Sequence, residues 1–262
     1  MRAFALDYGF DGVDWTFNSD TLPQNPAGAA ELSRAIQSLL PLEVRFHCAF
    51  AQTDLGDEDP GQAAAALRTF QSVCRLVAQL RGQHLTIHIG LGRDSTLDLS
   101  WDHTLVKLRD LVHFAGKFWL RLCLENLAWG WTSRPELYEK LLRKSGAFAT
   151  LDIGHAQVCP SVASQQFTVE DFILPHPERI LNAHVYDIEN SNGHLPPRRL
   201  KDILPRLDLL SRLPLCDWWV LELREETALQ TTLAVVKEYR AQQQEEAARR
   251  NSPRVTAYSS QP

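Results

Sequence analysis

The sequence predicts an α/β chain folded as a TIM-type (β/α) barrel, with seven strands present and the first strand and most of the first helix missing. Three observations predict it. Strand-like and helix-like segments alternate at roughly 30–40 residues per unit, the rhythm of βα repeats around a parallel sheet. From the second strand onward, each strand ends in a potential ligand residue on one phase. No glycine-rich dinucleotide or phosphate loop follows any strand, and seven strands in one series favour a closed barrel over an open doubly wound sheet.

The elements follow in order. Met1-Arg-Ala-Phe-Ala-Leu-Asp-Tyr8 reads as the closing turns of a helix, with Phe4, Ala5 and Tyr8 at helical spacing. Residues 13–17 form a strand with Val13, Trp15 and Phe17 on one face. A loop from Leu22 to Gly28 leads to a helix from about Ala29 to Leu40. Val44–Phe50 is the next strand, with His47 opposite Phe46 and Cys48. Asp57-Glu-Asp-Pro60 starts a helix running to about Arg81. His84–Gly90 alternates cleanly, placing Thr86 and His88 opposite Leu85, Ile87 and Ile89. A helix spans about 99–118. Leu120–Asn126 is a strand with Glu125 and Cys123 opposite Leu122 and Leu124, and a helix with Pro near its start covers 135–144.

Thr150-Leu-Asp-Ile153 is a short strand with Leu151 and Asp152 on opposite faces. Gly154 then permits a sharp turn that swings His155 to the side that Asp152 faces. Residues 180–187 form a strand carrying His184, 200–213 a helix, and 218–223 the last strand, with Glu222 opposite Leu221 and Leu223. A long helix begins near Thr227. Residues 1–248 are thus expected to form the barrel and 249–262, rich in Pro, Ser and Gln, a disordered tail. The first strand's absence places a gap between strands 13–17 and 218–223, which are edges unless they close on each other, accept another segment or pair with a second chain.

Composition narrows the function. The 262 residues are 44% hydrophobic, enough for one large core, and no apolar run approaches the ~20 residues of a membrane span. The net charge of −5 offers no general attraction to nucleic acid. Five scattered cysteines and the lack of a signal peptide point to reduced thiols and a cytoplasmic location.

The ligand residues in strand order are His47, His88, Glu125, Asp152, His184 and Glu222, with His155 and His194 just beyond strand ends. In a barrel such residues converge at the C-terminal mouth. Clustered carboxylates repel unless a cation joins them, and an oxygen-rich set with imidazole suits Mn²⁺, Co²⁺, Mg²⁺ or Zn²⁺. Any one such His or Glu at a strand end is more often a satisfied core group or loop cap than a ligand; six in one phase on consecutive strands favour the cation. Trp15, Trp129 and Trp131 either wall a sugar-sized pocket or pack ordinarily. The run Arg198, Arg199 and Lys201 reads as a solvated helix start or as a receiver for an anionic substrate group.

The pieces Phe-His-Cys, Thr-Ile-His-Ile-Gly, Leu-Glu-Asn, Leu-Asp-Ile-Gly-His, Ala-His-Val-Tyr-Asp and Leu-Glu-Leu resemble the xylose isomerase-like TIM-barrel superfamily over about residues 8–240. That superfamily joins sugar and sugar-phosphate isomerases and epimerases to endonuclease IV-type enzymes. The epimerase resemblance implies one divalent metal held by Glu125, Asp152, His184 and Glu222, with Glu125 and Glu222 doubling as acid and base and His155 contacting substrate. The endonuclease resemblance implies His47 and His88 joining Glu125 around additional zinc, and His155 joining an Asp-x-His pair. Here that pair is Asn192-Gly-His194, and an arginine that some ketose epimerases carry is Asn190.

The leading expectation is a metal-dependent isomerase or epimerase acting on a small carbohydrate-like substrate through an enediolate. Glu125, Glu222 and His155 are its catalytic residues, and His47, His88 and His194 contact substrate. A zinc phosphodiesterase and a non-catalytic binding barrel are the alternatives. No membrane partner is expected, and a homo-oligomer is compatible with the edges.

Overall fold

In a computed structural model describing residues 1–93 and 95–251, seven parallel strands form one sheet curled into a nearly closed barrel. They are β1 (Gly12–Phe17), β2 (Glu43–Cys48), β3 (His84–Ile87), β4 (Arg121–Glu125), β5 (Phe148–Asp152), β6 (Ile180–Val185) and β9 (Trp218–Leu221), paired in that order. A separate antiparallel hairpin, β7 (Ile188–Asn190) and β8 (Gly193–Leu195), follows β6. A short helix, α1 (Arg2–Tyr8), precedes β1. The helices that alternate with the barrel strands include α2 (Pro26–Gln37), α3 (Pro60–Gln79), α4 (Trp101–Gly116) and α5 (Pro135–Ser145). After β5 come the short α6 (Ile153–Val158) and α7 (Pro160–Ala163), and then α8 (Leu200–Ser211) and α9 (Glu226–Asn251) flank β9.

Helix starts follow local capping chemistry. The Asn25 side chain accepts from Gly28 N at 2.9 Å and Pro26 occupies the first turn, so α2 begins earlier than the loop-like composition of 22–28 predicts. Asp59 caps α3 in the same way, accepting from Gly61 N at 2.6 Å. Helix α9 runs past residue 248 to Asn251 as one continuous helix; the remainder of the tail expected to be disordered lies outside the described residues.

Alternation sorts each strand. Phe46, Leu85, Ile87, Leu122, Leu124, Ala149, Leu151, Ala183 and Val185 join the buried shell between strands and helices. The opposite phase fills the barrel interior, and its lower layer is polar. Thr86 and Thr150 hydroxyls meet at 2.8 Å, Asn182 donates to Thr150 Oγ1 at 3.1 Å, and the buried Arg45 donates to Asn182 Oδ1. Each of these buried polar groups thus finds a partner, as burial demands.

Strands β1 and β9 are not paired with each other, so the sheet has a seam. Side chains bridge it. The Trp218 indole lies against Gly12, where a Cβ would stand 2.1 Å from the ring and 2.5 Å from the Glu43 carbonyl. The Arg45 guanidinium sits 4.6 Å from the Trp218 ring centre and 2.9 Å from Asp217 Oδ1. Helix α1 docks outside, where Gln230 and Lys237 of α9 donate to Tyr8 Oη and Tyr8 O, both at 2.8 Å. Because Gly12 has backbone on one side and an aromatic ring on the other, Gly12→Ala is expected to lower stability by about 1–3 kcal/mol, the range of core overpacking. A lower urea midpoint with an unchanged slope is the readout.

Candidate active site

The C-terminal ends of β4, β5, β6 and β9 deliver Glu125, Asp152, His184 and Glu222 to one place. One ligand atom from each lies within 4.8 Å of the others. His184 Nδ1 stands 2.9 Å from Glu222 Oε2, 3.3 Å from Glu125 Oε1 and 3.8 Å from Asp152 Oδ2. Nevertheless Glu125 Oε2, Asp152 Oδ2, His184 Nδ1 and Glu222 Oε2 are all buried without an aligned hydrogen bond. Buried polar atoms are seldom left so. Three carboxylates and an imidazole pointing at one spot are the donor set a hard or borderline divalent cation takes.

Two braces position the cluster. Asn126, fully buried, donates to Asp152 O at 2.9 Å and accepts from Asp152 N at 2.8 Å, pinning β5 to the end of β4. Tyr138 of α5 reaches the same two strands, its hydroxyl lying 2.8 Å from Leu124 O and 3.2 Å from Thr150 O. Asp152 then caps α6 by accepting from His155 N at 2.7 Å. His155 therefore returns toward Asp152 through a capped helical turn, where the sequence predicts a glycine turn off a strand. Gly154 is required for a different reason: a Cβ there would stand 2.0 Å from the Tyr186 ring.

His155 Nδ1 donates to Asn126 O at 3.0 Å, and its Nε2 meets Glu189 Oε2 at 3.2 Å. His194, opposite Glu189 in the hairpin register, has Nδ1 2.8 Å from Glu222 O and Nε2 3.6 Å from Glu189 Oε1. A second group, His47, His88 and Glu125, shares Glu125 with the first. There His88 Nε2 and His47 Nε2 lie 3.1 and 3.4 Å from Glu125 Oε2, and His88 Nδ1 is 3.2 Å from Cys48 O.

A cavity of about 270 Å³ opens beside these groups and reaches the seam. Its wall includes Asp14, Thr16, His47, Glu189, His194 and Glu222. Of the three residues expected to contact substrate, His47 and His194 line it, while His88 lies beneath, against Glu125. The tryptophans take packing roles: Trp131 meets Trp101 edge-on at 5.2 Å and Trp15 packs against the core. Arg199 sits at the start of α8, its backbone N–H bonded to Asp202 Oδ2 at 3.0 Å, and the Arg198–Lys201 run is not on the cavity wall.

Sequence reasoning missed Asp14 and Glu189. Asp14 had a readable signal, since alternation with Val13, Trp15 and Phe17 turns it inward. Glu189 had none, because it depends on a hairpin centred on Asn192-Gly193 that lies outside the βα rhythm.

Crowding sets the ionisation of these groups. Burial pulls the His155 imidazole down, but Asp152, Glu189 and Glu125 outweigh it and raise it to about 10. His184 behaves alike: burial opposes its charge, and Glu125 and Glu222 hold it well above the ordinary imidazole range. Burial pushes Glu222 up, yet His184 brings it to about 2. Burial raises Asp14 to about 6 and lowers His47 to about 4.

A family model described as xylose isomerase-like TIM barrel matches residues 2–246. An uncharacterized protein of Methanocaldococcus jannaschii is 28% identical over 166 residues, 63% of this chain and 70% of that protein. The solved structure of an L-ribulose 3-epimerase superposes with a TM-score of 0.72 at 16% identity, covering 97% of this chain and 92% of that one. Endonuclease IV from Thermus thermophilus superposes with a TM-score of 0.61 at 17% identity, covering 93% of each chain. At these identities the likeness is one of fold.

The ion-free protein has a defined pH response. His155 and His184 titrate near 6.5 when unfolded and higher when folded, so the stability they contribute is complete below about pH 6.5. It is lost as pH rises through their folded values, about 10 for His155. Chelator-treated protein is therefore expected to unfold at lower urea at about pH 9 than at about pH 6.5. A divalent cation, which replaces those protons, should restore the midpoint more strongly at the higher pH.

Proposed function

Because the chain belongs to the xylose isomerase-like TIM-barrel family, we propose that it is a divalent-metal-dependent isomerase or epimerase of a small sugar or sugar-phosphate-like polyhydroxy carbonyl compound. One observation carries this reading: four buried ligand atoms without an aligned hydrogen bond, from four strand ends, converge beside a cavity of monosaccharide scale. The folds of sugar epimerases among the structural neighbours agree with it. Glu125, Asp152, His184 and Glu222 are the residues that would hold Mn²⁺, Co²⁺, Mg²⁺ or Zn²⁺. Such an ion supplies Lewis acidity toward a carbonyl and its adjacent hydroxyl, making the neighbouring carbon-bound proton easier to remove.

The chain's own groups handle that proton. Glu222 lines the cavity and is held ionised by His184, so it can act as a base toward a substrate carbon. Glu125, on the other side of the cluster, takes the second role: it receives a proton by way of the His88 imidazole, 3.1 Å away, and delivers it to the opposite face of the enediolate, while the proton taken by Glu222 leaves to solvent through the cavity. His155 and His194, each fixed through Nδ1 by a backbone carbonyl and turned by Nε2 toward Glu189, hold that cavity-lining carboxylate in place beside the bound sugar. His47 completes the wall on the seam side. No helix among the described residues is long and apolar enough to cross a membrane, and the five cysteines are free and buried, which suits the proposed cytoplasmic location.

The His47, His88 and Glu125 group favours one further reading, a zinc phosphodiesterase with more than one ion. The small cavity and its carboxylate wall argue against a nucleic-acid backbone there.

Protein loaded with Mn²⁺, Co²⁺ or Mg²⁺ is expected to exchange a carbon-bound substrate proton with D₂O across a panel of ketoses and their phosphates. Glu222→Gln should reduce that exchange by at least about 100-fold, the lower bound for losing a general base, with the fold unchanged by circular dichroism. Cleavage of abasic DNA without any sugar turnover sinks the isomerase reading in favour of the phosphodiesterase. Asp152→Asn should separately lower divalent-ion uptake measured by elemental analysis.

A further inference from the structure

We propose that Glu189 is a specificity-determining residue that accepts hydrogen bonds from substrate hydroxyls, so that the cavity selects an uncharged polyol over one carrying a phosphate or carboxylate at that end. This inference rests on the sugar reading above and narrows its substrate class. The hairpin places Glu189 one imidazole away from the four-residue cluster, with His155 and His194 between them. Its neighbour Asn190 is exposed and accepts from Asn192 N at 2.8 Å within the turn, so Glu189 is the residue of β7 that faces the cavity, beside Gly193 and His194 of β8.

Donor and acceptor accounting gives the chemistry. Each of the two imidazoles has Nδ1 bound to a backbone carbonyl, Asn126 O for His155 and Glu222 O for His194. Each turns Nε2 toward the Glu189 carboxylate, at 3.2 and 3.6 Å. His155 is thus paired at both nitrogens, while His194 Nε2, at 3.6 Å too far for a hydrogen bond, is drawn toward Glu189 as an ion pair. The Glu189 carboxylate is different. It has about four lone-pair sites, and two imidazoles do not use them all. Its side chain keeps 32% exposure and lines the cavity, so the remaining sites are open to a ligand. A hydroxyl donates to such a group; a phosphate or carboxylate oxygen repels it.

The rest of the wall agrees. Asp14 and Glu222 add carboxylates. Arg224 is the one arginine or lysine among the described wall residues, and it is exposed, where water screens its charge. The basic run Arg198, Arg199 and Lys201 stands outside the cavity at the start of α8.

The test uses Mn²⁺-loaded full-length protein and matched pairs of free ketopentoses and ketohexoses with their terminal phosphates, with binding measured by calorimetry. The wild type is expected to bind the free sugar about tenfold or more tightly than its phosphate. Glu189→Gln, which keeps the shape and removes the charge, should bring the pair to within about threefold, chiefly by gaining phosphate-ester affinity. Glu189→Asp, which keeps the charge, should retain the preference for the free sugar, whereas a merely structural role would weaken both ligands equally. Tighter binding of the phosphorylated partner by the wild type, or an unchanged ratio in Glu189→Gln with Mn²⁺ uptake intact, overturns the inference and leaves the isomerase reading standing. Failure of every sugar and phosphate to bind overturns both.

Discussion

The organising constraint in this protein is a concentration of charge at the edge of the barrel interior, where three of its four groups are buried from water. Glu125, Asp152 and Glu222 bring three carboxylates to one point that holds a single imidazole, His184, and each group keeps an atom with no aligned partner. Bringing like charges together in a buried site is costly, and the chain does nothing locally to reduce that cost by substituting neutral residues. It instead adds structure that keeps the groups there. Asn126 clips two strands together through paired backbone bonds, Tyr138 ties the same strands from outside, and the threonine, asparagine and arginine side chains below form a satisfied polar floor. Such a stability sacrifice at one site, supported by fully paired groups around it, is the usual mark of function.

How much of this is legible from residue order depends on which rule governs each part. The strand phase of His47, Glu125, Asp152, His184 and Glu222 is legible because inward and outward positions alternate strictly, and a helix-covered barrel leaves no freedom to choose the wrong face. Asp14 obeys the same rule and escapes a reading that follows the apolar face alone. The path from Asp152 to His155 reads as a glycine turn because Gly154 is a strong local signal. The actual determinant is Tyr186, more than thirty residues later, whose ring fills the space a side chain would need. The Glu189 hairpin is illegible because its register is set by a turn inserted after β6, and three-residue strands carry too little periodicity to be seen.

The seam shows a different compromise. Two edge strands in a parallel sheet would ordinarily expose a row of unpaired backbone groups. Here Trp218 lies across Gly12, Arg45 stacks on that indole while binding Asp217, and α1 covers the outer side. These contacts are side-chain packing rather than a ladder, so the mouth of the cavity borders the part of the barrel with the fewest main-chain restraints.

Asp152 gives the arrangement a mechanical property. One of its oxygens anchors the first turn of α6 while the other points into the cluster. A rigid planar carboxylate cannot move one oxygen without the other. The atom that points into the cluster and the atom that caps α6 therefore belong to one rigid group, which ties the cluster to the first turn of that helix and to the His155 ring beside it.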